Sequence, residues 1–139
     1  MNEKPLIILI DDDRDVLEIY RSILEQNGYR TKVFLEPDEA FAFMETKKPD
    51  LVISDLMMES LDTGFSFCRR LKEDGRFADI PIIILTAVGG RLGYDFTPRT
   101  PEDLASMHVD AFLEKSLDID EIVSTVRKLL DQREGRKKP

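Results

Sequence analysis

The sequence predicts an α/β protein built on a parallel β-sheet with helices on both faces. Three short apolar runs rich in β-branched residues indicate strands, at Leu6–Ile10, Leu51–Ile53 and Ile82–Leu85. None of the runs alternates with polar residues, which is typical of strands covered on both faces of a sheet. Segments with helical periodicity lie between the runs, and this alternation favours right-handed crossovers between parallel strands.

Two weaker strands and the first two helices extend this pattern. The weaker strands are predicted at Thr31–Leu35 and Ala111–Leu113. The first helix carries one apolar stripe, formed by Val16, Leu17, Tyr20, Ile23 and Leu24. Gly28 follows that stripe at the place of a C-terminal cap. The second helix is predicted over Pro37–Thr46, because proline suits the first position of a helix.

Three further helices are predicted after the third strand. Phe65, Cys68 and Leu71 mark the third helix by their spacing. Thr100 followed by Pro101 and two acidic residues indicates the capped start of a fourth helix. A long apolar stripe predicts the last helix from about Asp118 to Arg133. The order of elements is therefore βαβαβαβαβα.

The bulk properties indicate one domain that does not bind nucleic acid directly. The chain has 139 residues and a net charge of −8, whereas a DNA-binding domain needs an excess of Lys and Arg. We assign residues 1–133 to the domain and residues 134–139 to a basic C-terminal tail. The first apolar run is too short for a signal peptide or a membrane span, and the single cysteine, Cys68, indicates a reducing compartment. We therefore expect a cytoplasmic protein.

Polar residues follow four of the five predicted strands. Asp11, Asp12 and Asp13 follow the first strand, and Asp55 follows the third. The fourth strand ends in Thr86 and the fifth in Lys115. In an open α/β sheet, ligands bind outside the carboxyl ends of the strands, so these side chains are candidates for one site.

The residue types at this edge suit phosphoryl transfer. Carboxylates at Asp11, Asp12 and Asp55 would repel one another unless a cation lay between them, and hard oxygen ligands suit Mg²⁺. Lys115 adds a compact positive charge and Thr86 adds a hydroxyl donor. A carboxylate nucleophile, a hard cation, an ammonium group and a hydroxyl together form a phosphoryl-transfer site.

Four segments carry a family resemblance, namely ILIDDD, PDLVISDLMM, PIIILTA and AFLEK. They resemble the receiver domains of two-component response regulators, and the similarity covers nearly the whole chain. The resemblance implies a doubly wound (βα)5 fold with the flavodoxin-like strand order 2-1-3-4-5. It also implies that Asp55 accepts a phosphoryl group from a phosphohistidine on a sensor histidine kinase or a histidine phosphotransfer protein. Such a domain is a phosphoacceptor signalling module and not an enzyme in the usual sense.

The resemblance further implies a metal site. By the family pattern, Mg²⁺ is bound by Asp12, Asp55 and the backbone carbonyl of Met57. Asp11 assists, usually through water.

The resemblance also implies a switch. Lys115 pairs with the phosphoryl oxygens, Thr86 moves to hydrogen-bond the phosphoryl group, and Phe112 is the aromatic residue that turns inward behind it. The readout is expected on the surface of the fourth helix, fifth strand and fifth helix. That surface would contact a downstream protein, an output domain of the same protein or a second copy of the domain.

Three features depart from the family pattern. Glu59 stands where the family commonly has proline, and Ser116 follows Lys115 where proline is usual. The segment between Thr86 and Lys115 is longer than in a typical receiver. We expect the additional residues in Val88–Arg99, which form either a plain surface loop or a partner-binding segment.

Two other functions fit part of the pattern. A phosphatase of the haloacid dehalogenase type would use Asp11, Asp13, Thr86 and Lys115. That alternative leaves Asp55 without a role. A pseudo-receiver, which binds partners without being phosphorylated, is the second alternative, although such proteins usually lose an acidic residue or the lysine.

Overall fold

The computed structural model describes residues 4–55, 63–86, 110–114 and 119–137. The elements in these ranges are β1 (Leu6–Ile10), α1 (Arg14–Gln26), β2 (Arg30–Phe34), α2 (Pro37–Thr46), β3 (Leu51–Asp55), α3 (Thr63–Lys72), β4 (Ile82–Thr86), β5 (Ala111–Glu114) and α4 (Ile119–Lys137). Helix α4 is the fifth helix predicted from the sequence. The predicted fourth helix, which opens near Thr100, lies outside the described residues.

The five strands form one parallel sheet, and its order is β2-β1-β3-β4-β5. This confirms the order that the family resemblance implies. The register sets Ile10 beside Ser54, and Asp55 beside Leu85. Because all strands run in the same direction, their carboxyl ends meet at one edge of the sheet.

The core lies on both faces of the sheet, with alternate strand residues on opposite faces. One face packs against α2 and α3, with a buried cluster that includes Ile8, Ile10, Phe41, Met44, Phe67, Cys68 and Leu71. The other face packs against α1 and α4, with Ile7, Leu9, Leu17, Leu24, Ile122 and Val126. Since every residue of β1 and β3 is buried, these strands show no polar alternation in the sequence.

Both ends of α1 are closed by local hydrogen bonds. The Asp13 side chain accepts hydrogen bonds from the backbone N–H groups of Asp15 and Val16, as expected for an N-cap. At the other end, Gly28 has φ of 92°, a conformation that glycine adopts without steric cost. The Tyr29 N–H donates to the Leu24 carbonyl and the Gly28 N–H to the Glu25 carbonyl, which is the Schellman pattern. The predicted cap at Gly28 is therefore confirmed.

Helix α4 continues to Lys137, beyond the predicted end at Arg133. The division of the chain into a domain and a basic tail at residue 133 stays a prediction. No helix in the described ranges combines the length and the apolar composition needed to cross a membrane.

Cys68 is buried in the cluster beneath α2 and α3, with no exposed surface. Burial raises the pKa of its thiol to about 12. Because the thiolate is the reactive form, this cysteine is expected to be inert and to serve the packing of α3.

A part-buried ion pair joins the end of α3 to the start of β5, and a hydrogen bond from the same carboxylate reaches the start of β4. The Asp110 carboxylate accepts hydrogen bonds from Lys72 Nζ at 3.0 Å and from the Ile82 N–H at 2.8 Å. Lys72 Nζ also donates to the Ile80 carbonyl at 3.0 Å. Asp110 therefore holds the last residue of α3 and the first residue of β4 at the start of β5.

We expect Asp110→Ala to lower the free energy of unfolding by about 2 kcal/mol, because it leaves Lys72 and the Ile82 N–H without their acceptor. Urea unfolding measures the change. Glu73→Ala is the matched control, since Glu73 forms an exposed pair with Arg69 and should cost below about 0.5 kcal/mol. Equal losses in the two variants would show that the Asp110 pair contributes no more than a surface pair.

Candidate functional site

Three carboxylates meet at the carboxyl edge of the sheet. Asp11 and Asp12 directly follow β1, and Asp55 is the last residue of the neighbouring strand β3. One oxygen from each of the three carboxylates lies within 4.8 Å of the other two. Asp11 and Asp55 are only 3% and 6% exposed, whereas Asp12 faces solvent. The arrangement gives a half-buried, negatively charged cluster that is open at Asp12.

Hydrogen bonds in the turn after β1 hold Asp11 in the cluster and direct Asp13 to the start of α1. The Asp11 N–H donates to the Phe34 carbonyl of β2, and Asp11 Oδ1 accepts a hydrogen bond from the Asp13 N–H at 2.9 Å. Asp13 is the N-cap of α1 and is not part of the cluster. The structure thus places Asp55 close to Asp11. The phosphatase alternative requires Asp11 and Asp13 together instead, and it gives Asp55 no role.

The chemistry of the donor set fits a small divalent cation. The cluster offers only carboxylate oxygens, which are the ligands that Mg²⁺ prefers. Two of the three carboxylates are buried, so water screens their mutual repulsion poorly and a cation would relieve it. Asp12 is exposed, which leaves one side of the cluster accessible to water and to a ligand.

The remaining predicted site residues are placed only in part. Thr86 is the last residue of β4, the strand beside β3, which ends at Asp55. Phe112 lies in β5 opposite Ile84. The side chains of Thr86 and Phe112 lie outside the described part of the chain, as do the whole of Met57 and Lys115. Their roles stay predictions. Glu59, Ser116 and residues 88–99 are outside it as well.

Comparison with known proteins defines the family. The chain matches the response regulator receiver domain over residues 7–127, which is most of its length. The chain belongs to the receiver domain family. The curated response regulator Rre1 of Synechocystis sp. is 34% identical over an alignment of 138 residues, which covers 97% of this receiver and 55% of Rre1. RpaA of the same organism, a DNA-binding dual master transcriptional regulator, is 34% identical over 91% of this receiver and 49% of its own length. This receiver spans about half the length of the curated relatives it matches.

Solved structures share the fold. The signal receiver domain of a signal transduction histidine kinase from Syntrophus aciditrophicus is 30% identical, with a TM-score of 0.75, over 97% of this receiver and 94% of that chain. The response regulator TrrA from Thermotoga maritima, solved in complex with Mg²⁺ and BeF, is 27% identical, with a TM-score of 0.72, over 90% of this receiver and 98% of TrrA. The receiver is therefore a signalling module of a two-component system, and its acidic pocket fits Mg²⁺ and a phosphoaspartate.

Proposed function

We propose that this receiver accepts a phosphoryl group on the carboxylate of Asp55, with Mg²⁺ bound directly by Asp12 and Asp55 and assisted by Asp11 through water. The observation that carries the proposal is the meeting of these three carboxylates at the carboxyl edge of the sheet. The complex of TrrA with Mg²⁺ and BeF supports it, because beryllofluoride mimics a phosphoryl group on a carboxylate.

Asp55 acts as the nucleophile in this proposal. A carboxylate oxygen of Asp55 attacks the phosphorus of a phosphohistidine, a new P–O bond forms, and the P–N bond breaks with its electron pair leaving on the imidazole. When bound, Mg²⁺ supplies positive charge that offsets the negative charge of the phosphoryl oxygens. Asp11 and Asp12 hold that charge beside Asp55. The burial of Asp55 at the end of a packed strand supports this role, because a carboxylate with little freedom to turn is oriented for attack.

The remaining roles follow the family resemblance. We assign the backbone carbonyl of Met57 as the third protein ligand of Mg²⁺. Lys115, which directly follows the last residue of β5, would pair with the phosphoryl oxygens. Thr86 ends β4, which lies beside β3. This position supports a role for the Thr86 hydroxyl as a hydrogen-bond donor to the same oxygens. Phe112, one strand further, would follow the movement of Thr86.

The partners follow from the family. The phosphoryl donor is a sensor histidine kinase or a histidine phosphotransfer protein of the cytoplasm. The target is a downstream protein or an output domain, since the matched relatives are about twice as long as this chain. The net charge of −8 supports a domain that does not itself bind nucleic acid. A homodimer would form through the predicted fourth helix, β5 and α4.

Removing the exposed carboxylate of the cluster should weaken Mg²⁺ binding. Because Asp12→Asn removes one anionic ligand, we expect the dissociation constant for Mg²⁺ to rise by about tenfold or more. Titration of Mg²⁺ followed by amide chemical shifts measures the change. Asp15→Asn is the matched control, because Asp15 is an exposed acid of the same segment outside the cluster. Equal affinities in wild type and Asp12→Asn would remove Asp12 from the metal site.

Beryllofluoride tests the proposed function and its switch together. With Mg²⁺ and beryllofluoride, we expect amide shifts around Asp55 that extend to β5 and α4, because Thr86 ends β4, which lies between β3 and β5, and Phe112 lies in β5. Asp55→Asn should show none of these shifts. Shifts confined to the carboxylate cluster would exclude the switch. A wild-type protein without any shifts would be a pseudo-receiver.

A further inference from the structure

We propose that the open edge of β2 binds an acidic, extended segment of a partner protein, which adds a strand to the sheet. Strand β2 is at one end of the five-stranded order, and β1 is its neighbour on the other side. The proposal concerns a surface separate from the carboxylate cluster and does not depend on phosphorylation.

The backbone of β2 offers hydrogen-bonding groups on its open side. The Arg30 N–H donates to the Pro5 carbonyl, and the Phe34 carbonyl accepts from the Asp11 N–H, so both residues point their backbone groups towards the β1 side. Because these groups alternate along a strand, the N–H and C=O groups of Thr31 and Val33 point away from β1. Among the described residues, no strand lies there to pair with them.

The side chains of β2 are unusually exposed for this sheet. No residue of β2 is fully buried, whereas β1 and β3 are buried throughout. Val33 is an apolar residue with 36% of its surface exposed. A strand added at this edge would cover Val33 on the α1 face of the sheet and lie beside Lys32 on the α2 face.

A basic cleft lies along the same edge. Its volume is about 560 Å³, and its lining includes four cations, Lys4, Arg30, Lys32 and Lys47. Among the described residues, Glu25 is the one carboxylate in the lining; it accepts a hydrogen bond from the Thr31 hydroxyl at 2.7 Å and lies 3.5 Å from Arg21. Lys4, Lys32 and Lys47 form no ion pair with any residue in the described ranges.

The charge of the cleft defines the partner. In a chain of net charge −8, a concentration of cations at one strand edge attracts acidic groups while the rest of the surface repels them. The fitting ligand is an extended segment with Asp or Glu at every second position, facing Lys32 and Lys47. Residues at the intervening positions would be apolar and cover Val33. Main-chain hydrogen bonds give the affinity in this mode of recognition, and the side chains give the specificity.

The cleft is remote from the phosphoryl site along the strands. Its lining comes from the beginnings of β1 and β2 and from the ends of α1 and α2, whereas Asp11, Asp12 and Asp55 follow or end their strands. A partner bound at this edge therefore leaves Asp55 accessible to its phosphoryl donor. This separation allows the two binding events to be tested independently.

A short capped peptide that alternates Glu with Val serves as the probe, titrated into the whole chain labelled with ¹⁵N. We expect the largest amide shifts at Thr31 and Val33, and no binding by the same peptide with Lys in place of Glu. A peptide with methylated backbone nitrogens on its β2-facing edge should also fail to bind. Equal binding of the methylated peptide, or tighter binding of oligothymidylate, would overturn the proposal in favour of a nonspecific anion surface.

Variants of the chain separate charge from backbone pairing. We expect Lys32→Glu with Lys47→Glu to weaken peptide binding by roughly tenfold, whereas Lys128→Glu on α4 should change it by less than about twofold. Val33→Pro removes an outward N–H and leaves the hydrogen bonds to β1 intact, so it should abolish binding, while Val33→Thr should not. Wild-type affinity in Val33→Pro, with the β1–β2 pairing preserved by amide shifts, would also overturn the proposal.

Discussion

Asp55→Asn is expected to abolish phosphoryl uptake from a small acyl phosphate such as acetyl phosphate. The amide of asparagine has nearly the shape of the carboxylate but lacks its nucleophilic oxygen. Intact-protein mass spectrometry in Mg²⁺ would show the added phosphoryl group on the wild type and none on the variant. Asp13→Asn should be phosphorylated like the wild type, because Asp13 caps α1 and is outside the cluster.

The same variant should fold at least as well as the wild type. Asp55 is buried beside Asp11, so neutralising it removes a repulsion between like charges. Without Mg²⁺, we therefore expect Asp55→Asn to raise the free energy of unfolding by about 1 kcal/mol. A large loss of stability would mean that the carboxylate has a structural role, and uptake of a phosphoryl group by the variant would exclude Asp55 as the acceptor.

Asp50→Ala should cause a large loss of stability, about 3 kcal/mol in urea unfolding. Asp50 Oδ2 accepts the Leu6 N–H at 2.8 Å, and Oδ1 accepts Arg133 Nη1 at 3.0 Å. The Arg133 side chain is only 8% exposed, and its Nε already has no hydrogen-bond partner among the described residues. Removing the Asp50 carboxylate leaves this buried charge with the Asp50 carbonyl and the Asp79 carboxylate, which lies 3.5 Å away.

A double-mutant cycle identifies the cause. Arg133→Met keeps much of the volume of the side chain and removes its charge, so it should cost only about 1 kcal/mol. In that background, Asp50→Ala should lose only the bond to the Leu6 N–H, about 1 kcal/mol. If Asp50→Ala costs the same in both backgrounds, the buried arginine is not the reason for the loss.

The sheet and its acidic edge could be predicted because both depend on local patterns. Strands covered on both faces leave continuous apolar runs, so β1 and β4 were predicted almost to the residue. Parallel strands bring their carboxyl ends to one edge, which is why the sequence alone groups Asp11, Asp12 and Asp55. The sequence predicts β2 at Thr31–Leu35, one residue further along the chain than its observed range of Arg30–Phe34, because an exposed strand gives a weaker sequence signal.

The polar network at the opposite edge could not be predicted. Asp50 and Arg133 are 83 residues apart, and Lys72 and Asp110 are 38 apart, so no short-range spacing marks either pair. An arginine near the end of an amphipathic helix resembles a solvated residue in sequence. Arg133 is buried only because α4 packs across the beginnings of β1 and β3, which is a property of the assembled sheet.

Mapping the phosphoryl group in the wild type tests the central claim most directly. Borohydride reduces an acyl phosphate to an alcohol with release of phosphate, and this marks the modified carboxylate for tandem mass spectrometry after digestion. The three carboxylates of the cluster lie close together but differ in sequence position, so the method distinguishes them. We predict that the mark is found at Asp55 and depends on Mg²⁺. A mark at Asp11 or Asp12, or one formed equally well without Mg²⁺, would contradict the account.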